Sequence, residues 1–159
     1  MRLKAIKSEW FQDYKVPSMY IAFPTCSFKC DKECGKKICQ NSHLATLPVW
    51  EVSIDSVIQT YLCNPITQAI VCGGLEPFDS FWDLYELICL LRKVYHCEDT
   101  VVIYTGYNKE EIENEIALLS CFPNIIVKFG RYISNQNPHF DEVLGVKLAS
   151  DNQHGVKIS

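Results

Sequence analysis

The sequence predicts a single-domain α/β protein whose mainly parallel sheet and crossover helices form either a partial (β/α) barrel or an open sheet. Three observations predict this. Short β-branched runs alternate with segments of helical period along the whole chain. Four of those runs end in glycine- or cysteine-rich polar loops. And 159 residues suffice for one sizeable core, but not for eight βα units of ordinary size.

Met19–Phe23 ("MYIAF") reads as the first strand and leads directly into a cysteine-rich loop spanning residues 24–44. Val52–Leu62 ("VSIDSVIQTYL") places apolar residues at helical spacing. Gln68–Gly74 ("QAIVCGG") is a strand closed by two glycines. The next segment, "DSFWDLYELICLLRKVYH", is the clearest helix. Pro77 precedes it, Ser80 and Asp83 have capping-box spacing, and Arg92 and Lys93 fall near its end. Its aromatics sit at helical spacing and read as core.

Thr100–Gly106 ("TVVIYTG") is a β-branched strand ending in glycine. A helix over "NKEEIENEIALL" follows, with Asn108 as cap and Glu111 three residues on. Asn124–Gly130 ("NIIVKFG") is another strand, and "VLGVKLAS" is expected to add one more. No repeat, low-complexity tract or linker divides the chain, so residues 1–159 read as one domain. In parallel α/β proteins the ligand site lies at the C-terminal ends of the strands. The cysteine loop, "GGLEP", "TGY" and "GRY" all follow such ends.

Composition narrows the function. Hydrophobic residues make up 48% and charged residues 21%, as in an ordinary globular protein. No apolar run reaches a membrane span, and Met1-Arg2-Leu3-Lys4 is not followed by the apolar core of an export signal. No membrane association is expected, and the cytoplasm is the expected compartment. A net charge of −4 argues against nucleic-acid binding. Lys29, Lys32, Lys36 and Lys37 crowd the cysteine loop, which reads as a solvated loop. The four histidines show no metal-ligand spacing.

Nine cysteines are many for this length, and the odd count without an export signal speaks against a disulfide framework. Cys63, Cys72, Cys89, Cys97 and Cys121 are scattered and read as buried, inert thiols. The other four, Cys26, Cys30, Cys34 and Cys39, fall within fourteen residues. Thiolates select zinc, copper(I) or iron–sulfur clusters. The loop has neither the close pairs of structural zinc nor the dense run of a ferredoxin, and spacing alone leaves zinc and iron–sulfur open. The neighbouring loops favour an open cluster. Three cysteines would leave one iron free to chelate an amine and a carboxylate lying side by side. Glycine at "GGLEP" lets backbone approach such a zwitterion, with Glu76 to receive its ammonium.

The strand leading into C-x3-C, the later "ICQNSHL", then "GGLEPFDSFWDL", "VVIYTGY", "GRY" and "LASDNQ" together resemble the radical S-adenosylmethionine (SAM) proteins. More narrowly, they resemble the activating proteins of anaerobic (class III) ribonucleotide reductase, over about Met19 to Gln153. This chain departs from the family pattern in two places. Eight residues separate Cys30 from Cys39, with Cys34 between them, and Leu75 intervenes between Gly73-Gly74 and Glu76.

The resemblance implies a 4Fe-4S cluster on Cys26, Cys30 and Cys39, with Cys34 the alternative third ligand. It implies SAM as cofactor, with Ile38 against adenine and Gly73, Gly74 and Glu76 at the methionine amine. Thr105 and Gly106 would lie near the ribose or methionine moiety, and Asn152 and Gln153 on the adenosine side. No side chain beyond the cluster and SAM is implied as catalytic. The implied reaction cleaves SAM reductively and leaves a glycyl radical on a partner, foremost the anaerobic ribonucleoside-triphosphate reductase, with flavodoxin or ferredoxin as reductant. Two other readings remain at this point: an activase or modifier of another protein or peptide, and a non-catalytic zinc-stapled α/β binding module.

Overall fold

The computed structural model describes residues 1–159. In chain order its elements are β1 (Arg2–Leu3), β2 (Ala5–Trp10), β3 (Ser18–Phe23), α1 (Lys29–Cys34), β4 (Trp50–Glu51), α2 (Ile54–Leu62) and β5 (Ala69–Gly74). There follow α3 (Phe81–Lys93), β6 (Thr100–Tyr104), α4 (Glu113–Leu119), β7 (Ile125–Phe129), β8 (His139–Asp141), β9 (Val146–Leu148) and β10 (His154–Lys157). The main sheet has six strands in the order β10-β7-β6-β5-β3-β2. Its four inner strands, β3, β5, β6 and β7, are parallel neighbours in sequence order. The expected α/β class with a mainly parallel sheet is therefore what the chain forms, as an open sheet.

Side-chain alternation explains the layering. Met19, Ile21 and Phe23 of β3, Ile70 and Cys72 of β5, Val101 and Ile103 of β6, and Ile125, Val127 and Phe129 of β7 all face one core. Helices α2, α3 and α4 add their apolar faces to that core, through residues such as Ile58, Leu87 and Leu119. The intervening residues, Ala69, Val71, Val102 and Ile126, point to the opposite face and pack with Tyr14, Leu144 and Leu148 instead. All three crossover helices lie on one face, so the sheet is wound in one direction like a segment of a barrel. The helix-free face stays open toward the C-terminal strand ends.

Several local expectations are corrected. Both sheet edges are antiparallel: β2 pairs with β3, and β10 pairs with β7. The expected "VLGVKLAS" strand does form, at Val146–Leu148, though outside the main sheet. Val146–Leu148 pairs with His139–Asp141 in a separate hairpin, and His154–Lys157 takes the edge position. Ser80 and Asp83 form no capping box. Ser80 Oγ instead meets Thr25 Oγ1 at 2.7 Å, and Asp83 accepts the Arg2 N–H at 3.1 Å. The helix over "NKEEIENEIALL" breaks at Ile112 (φ −138°, ψ 32°), leaving a 3-10 turn at Lys109–Glu111 before α4.

Trp82 is 71% exposed and does not belong to the core. Of the scattered cysteines only Cys72 is buried, while Cys63 and Cys121 are exposed. Arg92 does not merely complement the end of α3. It turns inward and donates to the carbonyls of Pro123, Cys97 and Asp99, tying the turn before β6 to the one before β7. No helix is long and apolar enough to cross a membrane.

Candidate functional site: a cysteine loop over a polar cavity

A cavity of about 540 Å³ opens at the C-terminal ends of the parallel strands. Cys26, Cys30 and Cys39 line it, together with Gly73, Gly74, Glu76, Thr105, Gly106 and Gln153. Cys34 is exposed and does not line it. Ile38 is half-buried beside Cys39 and Asn152 sits behind Arg131, so neither reaches the cavity wall.

The cysteine loop is fixed at its start, middle and end. Thr25 O accepts the Glu76 N–H at 2.7 Å, and the Ser27 N–H donates to Asp79. Asp79 also accepts the Tyr107 hydroxyl, so one carboxylate joins three loops. Phe28 adopts a left-handed backbone (φ 51°), and this tight turn brings its N–H to Cys26 Sγ at 3.2 Å. Asp31 Oδ1 accepts both the Ile38 and Cys39 N–H groups, at 2.8 and 2.9 Å. At the end, the Asn41 amide donates to Gly74 O at 2.9 Å.

Asp31 explains how so long a loop still delivers a third thiol. Its carboxylate folds the segment after α1 back on itself, returning Cys39 beside Cys30. The intervening residues, Cys34 among them, are directed outward. Burial pushes the Cys30 thiol up to about 11, with the neighbouring Cys39 adding to the shift. Burial likewise pushes Cys26 up to about 12, against the Phe28 N–H that favours its thiolate. Such thiols stay protonated at neutral pH unless a cation claims them, and a bound metal deprotonates a coordinating thiol outright.

No three ligating side chains converge on a single ion. Three thiols at one cavity wall, partly exposed and held from three directions, fit a 4Fe-4S cluster with one position open toward the cavity.

Glu76, 5% exposed, lines the same cavity. Its Oε1 accepts the Thr105 hydroxyl at 2.8 Å and the Phe78 N–H at 3.2 Å, and its Oε2 accepts the Gly106 N–H at 2.9 Å. Burial nonetheless outweighs these donors and pushes its carboxyl up to about 7. Oε2 keeps acceptor capacity toward the cavity, and Gly106, lacking a side chain, leaves the approach open.

Gly74 is required where it stands. Its φ is +85°, and a Cβ there would lie 2.7 Å from Ala22 Cα. Gln153 anchors the far wall by accepting from Ala149 and Ser150 and donating to Gly130 O.

Other cavity residues gave little signal in the sequence. Lys128 is 6% exposed and donates to the carbonyls of Thr105 and Gly130; burial lowers it to about 8. Asp13, raised by burial, accepts the Trp10 indole N–H at 2.6 Å. Lys128 shares the strand phase of Ile126, the one hint that it faces the open side.

Fold and site together define an α/β protein with a cysteine loop over a polar cavity, at the sheet edge where parallel α/β proteins bind ligands. The family of 4Fe-4S single cluster domains, associated with radical SAM chemistry, matches residues 18–153. The chain belongs to that family. No curated protein and no solved structure matches it.

Proposed function

We propose that the chain is a radical SAM enzyme that installs a glycyl radical on a partner enzyme, foremost the anaerobic ribonucleoside-triphosphate reductase. One observation carries this reading: the thiols of Cys26, Cys30 and Cys39 and the carboxylate of Glu76 line the same cavity, with Cys34 outside it. A cavity of about 540 Å³ is of the size that takes a cofactor-sized ligand.

A 4Fe-4S cluster with SAM, supplied with electrons by a reductant such as flavodoxin or ferredoxin, would provide the one-electron radical chemistry that the glycine of the partner needs. The protein's own part is position. Cys26, Cys30 and Cys39 hold the cluster at the cavity wall. Glu76 receives the ammonium of the amino-acid moiety, and the backbone of Gly73 and Gly74 admits it closely. Thr105 and the Gly106 N–H keep the Glu76 carboxylate aimed. Gln153 shapes the adenosine side, with Asn152 and Ile38 supporting the wall from behind. The helix-free face of the sheet carries the cavity at the C-terminal strand ends, which suits a loop of a partner protein entering there.

Anaerobic reconstitution with iron and sulfide tests the proposal. The expected result is brown protein with about four irons per chain, and 5′-deoxyadenosine formed from SAM on reduction. Mixing with an anaerobic ribonucleoside-triphosphate reductase should then give a glycyl radical signal in its EPR spectrum. Colourless protein that holds zinc tightly and forms no 5′-deoxyadenosine would overturn the proposal. Cleavage without a glycyl radical on that reductase would point to another protein or peptide as target.

A further inference from the structure

Helix α1 is six residues long and buries none of them. A helix this short does not hold itself together, so its place beside the cavity depends on what grips it. An ionic cluster does so, on both sides of Cys30, and two of its members, Lys29 and Arg131, also line the cavity. The Arg131 side chain, 9% exposed, forks onto Glu111, its two terminal nitrogens donating at 2.7 and 2.6 Å. Its Nε stands 3.2 Å from Glu33 Oε2. Lys29 Nζ donates to Glu111 Oε1 at 3.2 Å and lies 4.3 Å from the centre of the Tyr107 ring.

Lys29 directly precedes Cys30, Glu33 lies one helical turn beyond Lys29, Glu111 follows β6 and Arg131 follows β7. We propose that Arg131, acting through Glu111 and Glu33, is the positioning residue that clamps α1, and with it Cys30, to the β6 and β7 ends of the sheet.

The energetics distinguish the members. Exposed ion pairs contribute little singly, but bidentate geometry and networks raise their worth. Lys29 and Glu33 are 43% and 61% exposed, so neither contact would hold α1 alone. Arg131 is the shielded member, and its fork fixes the Glu111 carboxylate that Lys29 then finds in place. The Asn108 N–H, donating to Glu111 Oε2 at 2.9 Å, fixes that carboxylate from the other side. An arginine right after the β7 strand thus holds cysteine geometry a hundred positions earlier. The consequence for a cluster rests on the cluster reading above; the clamp itself belongs to the iron-free chain.

Amide hydrogen exchange on iron-free protein tests the clamp. In Arg131→Ala, exchange at the Lys32, Ile38 and Cys39 amides should quicken on the order of tenfold, with β5 and β6 amides unchanged. Arg131→Lys keeps the charge but not the fork, and should fall between. Glu111→Gln, on an exposed turn, should match Arg131→Ala and carries the test if that variant fails to fold. Lys36→Ala, outside the network, should leave exchange as in the parent.

Unchanged exchange over residues 29–39 in folded Glu111→Gln would overturn the proposal. So would an acceleration spread evenly through the sheet, which would make Arg131 a general stabilising residue. In reconstituted protein, iron should pass to a chelator faster from Arg131→Ala than from the parent. Failure of both proteins to take iron would sink the cluster reading, while the exchange result would still decide the clamp.

Discussion

Thr105 donates its hydroxyl to Oε1 of Glu76 at 2.8 Å, joining the loop after β6 to the loop after β5 inside the cavity. The same hydroxyl oxygen accepts the Tyr107 N–H at 2.9 Å, so Thr105 both aims the carboxylate and shapes the turn that follows. Under the proposed function, Thr105→Val removes a donor from a buried carboxylate and orphans a backbone N–H. A lost hydrogen bond to a charged group costs about 1.5–3 kcal/mol. SAM binding to the cluster-loaded protein should weaken by roughly tenfold or more, measured by anaerobic titration calorimetry. Thr105→Ser keeps both bonds and should stay within about threefold of the parent. Equal affinities for Val and parent would remove Glu76 from the binding site.

The Glu76 carboxyl sits at about 7 because burial opposes its charge, and this predicts how binding depends on pH. An ammonium ligand requires the carboxylate. Below about 7 the free protein holds a proton that binding must expel, so affinity should fall about tenfold per pH unit as pH drops. Above about pH 8 an α-amino group loses its own proton, and affinity should fall again. The checks are a bell-shaped affinity profile and release of close to one proton per ligand at pH 6. Glu76→Gln should bind weakly and lose the acidic limb. An acidic limb that survives in that variant would assign it to another group.

How far these features could be read from the sequence depended on how local their causes are. The parallel strands were legible because β-branched runs and terminal glycines act within a few residues. The cavity edge was legible because loops after parallel strands share one end of the sheet. The antiparallel edges were not: Ala5–Trp10 and His154–Lys157 pair over distances that no local pattern records. The capping boxes show the same limit. Asn108 and Glu111 keep their local contact, whereas Ser80 and Asp83 are drawn to Thr25 and Arg2 by tertiary packing. Cys26, Cys30 and Cys39 line the cavity at that edge. The Asp31 fold that returns Cys39, and the buried Lys128, required the folded chain.

Outward placement of Cys34 makes the cysteine set testable one thiol at a time. Cys26→Ala, Cys30→Ala and Cys39→Ala should each lose most reconstituted iron and form no 5′-deoxyadenosine. Cys34→Ala should keep about four irons per chain and much of the cleavage. Asp31→Ala frees the Ile38 and Cys39 N–H groups and should lower iron retention while leaving all four thiols in place. Full iron in Cys39→Ala, with loss in Cys34→Ala, would exchange their roles and require the loop to refold around Asp31.

Gly74 offers a test that needs no cofactor. It closes β5 with φ +85°, and a Cβ there would lie 2.7 Å from Ala22 Cα and 2.8 Å from Ala22 Cβ, both on the neighbouring strand β3. Gly74→Ala therefore meets two costs, a left-handed backbone with a side chain and a backbone clash that cannot relax without separating two inner strands. Together they should destabilise the protein by about 2–4 kcal/mol, read as a lower urea midpoint. Gly35 has a similar φ of +65° but nothing within 4 Å of its Cβ position. Gly35→Ala meets only the first cost and should destabilise by about 1–2 kcal/mol at most. The difference between the two variants isolates the contact between β5 and β3. Because that contact fixes where the "GGLEP" loop leaves the sheet, Gly74→Ala should also weaken SAM binding in whatever fraction stays folded. Equal urea midpoints for the two variants would mean that β3 and β5 can part at this point without cost, and Gly74 would then serve the turn alone.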